Sequence, residues 1–314
     1  MISDKVWVTG AKGFIGRALC ASLAARGSAV FGIGHGAWSR ADVLAGGLKL
    51  WLNSTVTFDG LQTLSDRSGI PDTVYHLAGG SSVRAAVDAP EEDYQRTVAS
   101  TTALLNWLRL RAPTARVVLA SSAAVYGDAL TDRISETNNP NPMSDYGRHK
   151  LAMERLGLAH GRDHGMPVAI GRLFSVYGIG LRKQLLWDLS CRLNLSPNEL
   201  ELGGAGVELR DWTSVLDICD ALPLLASAAS TDCPVFNVGT GIGTSVKAIA
   251  ELALGAWPSK AKVMFNGSSR SGDPFSLVAD VSRLAQLGMR CERPVAEGVE
   301  EYVRWSRDAL GCHR

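Results

Sequence analysis

Residues 5–16 read KVWVTGAKGFIG. A short apolar run, Val6-Trp7-Val8, stops at Thr9-Gly10, and three glycines follow at even spacing, Gly10, Gly13 and Gly16. An amphipathic run opens at Phe14 and Ile15, which with the three glycines are candidate cofactor contacts, and closes near Arg26-Gly27. The pattern predicts a buried strand, a tight turn and a helix. Gly10 permits a turn that a side chain would block. Gly13 lets a pyrophosphate approach backbone N–H groups at the positive end of the helix. Gly16 lets the helix pack closely on the strand. Lys12 is not followed by Ser or Thr in a GxxxxGK[ST] frame, which excludes a Walker-type loop.

The 314-residue chain is otherwise ordinary in bulk. Its net charge of +1 gives no field for nucleic acid or an anionic membrane, so neither is expected as a partner. The six cysteines are scattered, with no CxxC, which fits reduced thiols rather than a disulfide frame or a zinc site. No apolar run is long enough to cross a bilayer, and the N-terminus leads straight into a strand. The expected location is cytoplasmic.

Val30-Phe31-Gly32-Ile33 predicts a second strand, completing a parallel right-handed βαβ unit. In dinucleotide folds an acidic residue at the end of this strand holds the adenosine ribose. Here Gly34 stands in that place, followed by His35 and Arg40. Nothing repels a 2′-phosphate, and both basic residues attract one. NADP(H) is therefore favoured as cofactor, with NAD(H) as the other choice. Further strands are expected near residues 48–52, 73–78, 116–120 and 168–173, with Asn53 as a candidate adenine contact. Helices are expected near 91–111 and 145–160. The fold class is α/β, a Rossmann-type doubly wound parallel sheet. After Tyr177 the rhythm changes. Residues 1–175, rejoined by about 210–244, are assigned to the dinucleotide domain. Residues 176–209 and 245–314 are assigned to a smaller, mostly helical substrate lobe, and the cleft between them is the natural ligand site.

Tyr146 and Lys150 are four apart in a predicted helix, YGRHK, which puts both on one face. A phenol titrates near ~10, too high for easy proton exchange at neutral pH. A neighbouring ammonium favours the phenolate and is expected to lower that value. Such a pair moves a proton on or off a hydroxyl. Ser122 ends a predicted strand and can hydrogen-bond the same oxygen. This trio needs no metal, and no clustered metal-ligand set is visible. His76 reads as a packing residue and His149 as a solvated helix residue.

The chain resembles the extended short-chain dehydrogenase/reductase family, the nucleotide-sugar epimerases, dehydratases and ketoreductases. The resemblance runs through TGAKGFIG from Thr9, HLAG from His76, SSAAVYG from Ser121, YGRHK from Tyr146 and GRLFSVYG from Gly171. It continues through LRDWTSVLD from Leu209, FNVGTG from Phe236 and RSGDPFSLVADVSRL from Arg270. It implies that Leu77, Ala78, Gly79 and the Thr97 position line the cofactor. It implies a nucleoside-diphosphate sugar as substrate, with Arg210 and Arg270 on the pyrophosphate and Ser82, Tyr126, Ser175 and Asp273 in the pocket. It also implies a homodimer, with Leu104, Leu105, Leu108, Leu151 and Leu156 as candidates for a helical seam.

Departures from the family pattern narrow the reaction. Family 4,6-dehydratases carry an Asp-Glu pair where this chain has Ala123-Ala124, so elimination of water is not expected. Ser175 and Thr97 stand where many members have Asn. Two enzymatic readings survive: NADPH-dependent reduction of a 4-keto sugar nucleotide with Tyr146 as proton donor, and 4-epimerisation with bound NAD. The missing ribose carboxylate favours the reductase. A dinucleotide sensor without catalysis is a third reading, disfavoured by the intact trio.

Overall fold

The structure, a computed structural model, describes residues 4–129, 131–195, 198–258, 260–268 and 274–311. Arg270 and Asp273, expected at the substrate, lie outside the described residues. The N-terminal apolar run forms strand β1 (Lys5–Thr9), and helix α1 (Phe14–Ala25) follows the glycine turn. Alternation continues through β2 (Ala29–Gly34), α2 (Arg40–Ala45), β3 (Leu48–Asn53), α3 (Phe58–Ser68) and β4 (Thr73–His76). Helices α4 (Val83–Asp88) and α5 (Pro90–Tyr94) lead through a π-helical turn at Gln95–Ala99 into α6 (Ser100–Arg111). Then come β5 (Arg116–Ser122), a 3-10 turn at Ala123–Val125, α7 (Asp145–His164) and β6 (Val168–Leu173).

The rest of the chain contributes β7 (Ser175–Tyr177), α8 (Gln184–Leu193), β8 (Glu199–Leu202), β9 (Leu209–Ser214), α9 (Val215–Ser227) and β10 (Val235–Val238). It closes with β11 (Gly243–Ser245), α10 (Val246–Ala256), β12 (Lys262–Phe265), β13 (Ser276–Leu277), α11 (Ser282–Gln286) and α12 (Val295–Ala309).

Seven parallel strands form the main sheet in the order β10-β6-β5-β4-β1-β2-β3. The chain builds outward from β1 to β3 and then returns to build the other way from β4. The strand order therefore reverses between β1 and β4, and the carboxyl ends there open a crevice. Both faces of the sheet are covered, which is why β1 is apolar on both sides. Leu19 and Leu23 of α1 and Ile218, Leu222 and Leu225 of α9 pack with Val6 and Val8 on one face. On the other, Leu61, Leu64, Leu104, Leu105, Leu108 and Met153 pack with Trp7, Val74 and Val117. Trp7 and Trp107 stack at 5.1 Å between centroids.

Leu104, Leu105 and Leu108 are fully buried in this core, and Leu156 packs against it. Leu151 packs against a small cluster around Val125 and Phe174. Of the leucines expected at a seam between copies, Leu104, Leu105 and Leu108 thus face the interior of their own chain, while Leu151 and Leu156 are half-buried. They are the apolar stripe that α6 and α7 need in order to cover the sheet.

A separate core joins Leu186, Leu189 and Leu193 of α8 with Leu200, Ile249, Val299 and Tyr302. Two small sheets belong to this side. β9 pairs with β7, β11 and β13, and β8 pairs with β12. Among the described residues, no helix is long and apolar enough to cross a membrane.

Candidate active site

The glycine turn explains its own sequence. Gly10 has φ +67°, and its N–H donates to the Ile33 carbonyl at 2.8 Å. A Cβ on Gly16 would lie 2.3 Å from the Gly10 carbonyl oxygen, so only glycine lets α1 start so close to β1. Gly13 is the N-cap of α1 and offers no side chain, leaving the helix N–H groups bare toward the crevice.

Next to it, a buried relay fixes the loop after β4. The Ala78 N–H donates to Thr9 Oγ1 at 3.1 Å, and Thr9 Oγ1 lies 2.7 Å from His76 Nδ1. His76 Nε2 lies 3.0 Å from Thr101 Oγ1, whose own proton goes to the Thr97 carbonyl at 2.6 Å. Thr101 must therefore accept from Nε2–H, and Nδ1 must accept from Thr9. This makes His76 a neutral imidazole of one tautomer. Burial, with the Lys150 ammonium nearby, pushes it down to about 3. Thr97 Oγ1 accepts from the Gly80 N–H at 2.7 Å. Thr97 is fully buried and holds the loop from behind, rather than lining the cofactor as expected. Leu77, Ala78 and Gly79 do line the cleft.

At the end of β2, Gly34 and His35 line the cleft. Arg40 is exposed on α2 and does not line it. Asn53 spends its amide oxygen on the Gly36 N–H at 2.8 Å and holds the β2–α2 loop. Lys12, which the sequence reading used only to exclude a Walker loop, brings an ammonium to this corner, donating to the Ala37 carbonyl at 2.6 Å.

Ser122, Tyr146 and Lys150 share one cleft of about 1910 Å³ with the glycine turn. Ser122 ends β5, and its Oγ accepts from the Ala124 N–H at 3.2 Å. Ser144 caps α7 by accepting from the Gly147 N–H at 3.2 Å, which presents Tyr146 in the first turn. A Cβ on Gly147 would fall 2.5 Å from the Ala124 carbonyl oxygen, so glycine here lets α7 lie against the serine strand. Lys150 is buried and its Nζ donates to the Ala120 carbonyl at 2.9 Å.

Burial lowers the Lys150 ammonium to about 8, with Lys183 adding to the fall and Asp93 and Glu154 opposing it. Burial also raises the Tyr146 phenol; the Ser122 hydrogen bond opposes this, and Asp93 adds to it. The expectation that Lys150 pulls the phenol down is corrected here. The ammonium is turned to the Ala120 carbonyl, 5.8 Å from the centre of the Tyr146 ring, and Ser122 is the group that favours the phenolate.

Ala123 and Ala124 line the wall beside Ser122, with no carboxylate on either. Ser82 caps α4 and lines the cleft, as do Ser175 and Arg210. Arg210 Nη1 donates to the Leu209 and Phe275 carbonyls. Tyr126, expected in the pocket, is 2 % exposed and donates its hydroxyl to Asn237 Oδ1 at 2.6 Å. It packs on Phe174 behind the cleft.

Three features escaped the sequence reading. Trp212 and Trp187 line the same cleft. Lys183 precedes α8, lines the same cleft and donates to the Ser81 carbonyl at 3.1 Å. His149 is no solvated residue: its Nδ1 lies 2.6 Å from Asp93 Oδ2. The available signal for the last was that His149 follows Tyr146 by three residues, the spacing that puts both on one helix face.

Residues 6–239 match the family model described as the NAD dependent epimerase/dehydratase family. The chain is 32% identical to MoeE5, solved in complex with UDP-glucuronic acid and NAD, covering 98% of this chain and 100% of that one with a TM-score of 0.85. It is 29% identical over 260 residues to a UDP-glucose 4-epimerase of Halalkalibacterium halodurans, 76% of each chain. It is 30% identical over 262 residues to a GDP-6-deoxy-D-mannose reductase of Pseudomonas aeruginosa, 80% of this chain and 79% of that one. Its sheet order, its glycine turn and these likenesses agree: the chain belongs to the NAD dependent epimerase/dehydratase family and is an enzyme of the extended short-chain dehydrogenase/reductase type.

Proposed function

We propose that this enzyme epimerises a nucleoside-diphosphate sugar at C4 with a nicotinamide dinucleotide. The reading is supported by a single cleft that takes in the glycine turn, the Ser122–Tyr146–Lys150 group and the Arg210–Trp212 wall, together with the likeness to a UDP-glucose 4-epimerase. One cavity of that size has room for both ligands together, as stereochemical inversion through a keto sugar requires.

The residues fit the cofactor. Gly10, Gly13 and Gly16 leave backbone where a Cβ would intrude, and the bare α1 N-terminus suits a pyrophosphate. Gly34 and His35 take the adenosine end, and Lys150 and the loop at Leu77–Gly79 take the nicotinamide end. When bound, the cofactor supplies reversible two-electron exchange with the sugar carbon. Tyr146 takes the proton of the C4 hydroxyl and returns it after the keto sugar has turned over. Ser122 hydrogen-bonds the same oxygen and favours the Tyr146 phenolate that takes the proton. Arg210 suits the diphosphate and the tryptophans suit the flat faces of base and sugar.

Lys183 supports a narrower choice of sugar. It is a cation on the cleft wall whose hydrogen bond goes to a neutral carbonyl, and burial lowers its affinity for a proton. A sugar bearing a carboxylate, like the glucuronic acid bound by MoeE5, would satisfy it.

A second reading, reduction of a 4-keto sugar nucleotide by NADPH, is favoured by the β2 terminus, where Lys12 and His35 line the cleft and no acid stands. Incubation of the protein with UDP-glucuronic acid, UDP-glucose and a 4-keto sugar nucleotide separates the two. Isomer formation without consumption of added cofactor supports epimerisation; stoichiometric loss of NADPH absorbance supports reduction. Tyr146→Phe should lower either rate by about 10²–10⁴.

A further inference from the structure

Asp93 has no place in the mechanism above, yet it is a carboxylate only 4% exposed. It stands at the end of α5, and its Oδ2 is held by His149 Nδ1 at 2.6 Å. His149 sits between Tyr146 and Lys150 along α7, and its ring meets Tyr94 edge-on at 5.5 Å. The other oxygen of Asp93 closes on the cofactor loop. A Cβ on Gly80 would fall 1.6 Å from Asp93 Oδ1, and one on Gly79 would lie 3.1 Å from Lys150 Nζ. The glycine pair is therefore bracketed by opposite charges, an ammonium at Gly79 and a carboxylate at Gly80.

We propose that Asp93, held by His149, is a positioning residue for the catalytic pair: its carboxylate is the fixed negative charge against which Tyr146 and Lys150 exchange protons. This rests on Tyr146 and Lys150 being the catalytic pair.

The charges around the pair single it out. Lys150 is faced by Asp93 from α5, Glu154 from its own helix, Lys183 from the segment before α8 and His76 from β4. Tyr146 is faced by Ser122 and Asp93. His76 is neutral. Glu154 is already engaged by Arg172 and Ser121. Asp93 is the carboxylate felt by both members of the pair and tied to no guanidinium in the ion pairs seen here. Its charge favours the ammonium of Lys150 and disfavours the phenolate of Tyr146. Removing that charge shifts both groups in one direction, toward losing their protons at lower pH.

The test uses Asp93→Asn, which keeps the shape and a hydrogen bond to His149. Tyrosinate absorbance is titrated in this variant and in the wild type, each against its Tyr146→Phe counterpart to isolate one phenol. The expected result is a fall of about one pH unit in the Tyr146 midpoint. In turnover assays the whole pH–rate profile moves to lower pH. A folded variant whose midpoint and profile stay in place, with only the height of the profile reduced, overturns the proposal. If Asp93→Asn does not fold, Asp93→Ser removes the same charge with less bulk and carries the same comparison. A wild type that turns over none of the nucleotide sugars overturns the epimerase assignment instead, and the absorbance titration still reads the effect of the charge.

Discussion

Arg172 and Glu154 lie side by side in the interior, with Nε to Oε1 at 2.9 Å and Nη2 to Oε2 at 2.7 Å. Both side chains are 6% exposed, and Ser121 adds a third hydrogen bond to Glu154. Glu154 comes one turn after Lys150, so the pair anchors α7 to β5 and β6 behind the catalytic group. Glu154→Gln would leave a buried guanidinium without its counter-charge. The expected cost is about 3–5 kcal/mol, seen as a lower denaturation midpoint in urea with an unchanged slope.

Lys183→Met tests the choice of sugar. If the ammonium meets a carboxylate on the substrate, kcat/KM for UDP-glucuronic acid falls about ten- to hundredfold, the worth of one charge-assisted hydrogen bond. The value for UDP-glucose changes far less. Equal losses for both sugars would show that Lys183 serves the loop at Ser81 and not the sugar.

His76 gives the fold a dependence on acid. Its folded value, about 3, lies below the 6.5 of a free imidazole. Between these values the unfolded chain binds a proton that the folded one does not. Stability therefore falls as pH drops from 6.5 toward 3, by roughly 1.4 kcal/mol per pH unit from this group. His76→Gln should flatten that part of the curve in chemical denaturation at stepped pH, while lowering stability at neutral pH through the broken relay.

Gly16→Ala puts a methyl group 2.3 Å from the Gly10 carbonyl oxygen, a backbone atom with no rotamer to move. The turn must open, and affinity for the dinucleotide should drop. Quenching of tryptophan fluorescence by added NAD or NADP reads the loss. A variant that binds as tightly as the wild type would separate the turn from the cofactor.

Much of the frame was visible in the chain because its signals are local. The strand–glycine–helix opening, the strand at Val168–Leu173 and the pair at Tyr146 and Lys150 are matters of period and spacing. The helix Val215–Ser227 was not, because Pro223 sits inside it and its apolar residues run nearly all round, as burial against the sheet demands. The helix at Arg40–Ala45 was hidden by its short length and that at Phe58–Ser68 by its polar faces. At the site, residues carried on the strand ends were legible. Ser175 and Arg210 were legible through the motifs that hold them, whereas Lys183 and Asp93, which no motif marks, were not. Lys183 reaches Ser81 across more than a hundred residues, and Asp93 reaches His149 across more than fifty. Tyr126 erred the other way: its motif position suggested the pocket, but the partner that claims its hydroxyl, Asn237, comes from the far edge of the sheet.

The π turn at Gln95–Ala99 acts as an angular spacer. Its widened backbone leaves carbonyls that Ser100, Thr101 and Thr102 take up through their hydroxyls at Arg96, Thr97 and Val98. Each residue of an α-helix turns the chain by ~100°. Shortening this turn by a single residue would keep α6 seated on the sheet but swing Asp93 about the axis and off Gly80. One surplus residue thus lets a single continuous rod serve two masters, the core with its far half and the chemistry with its near half.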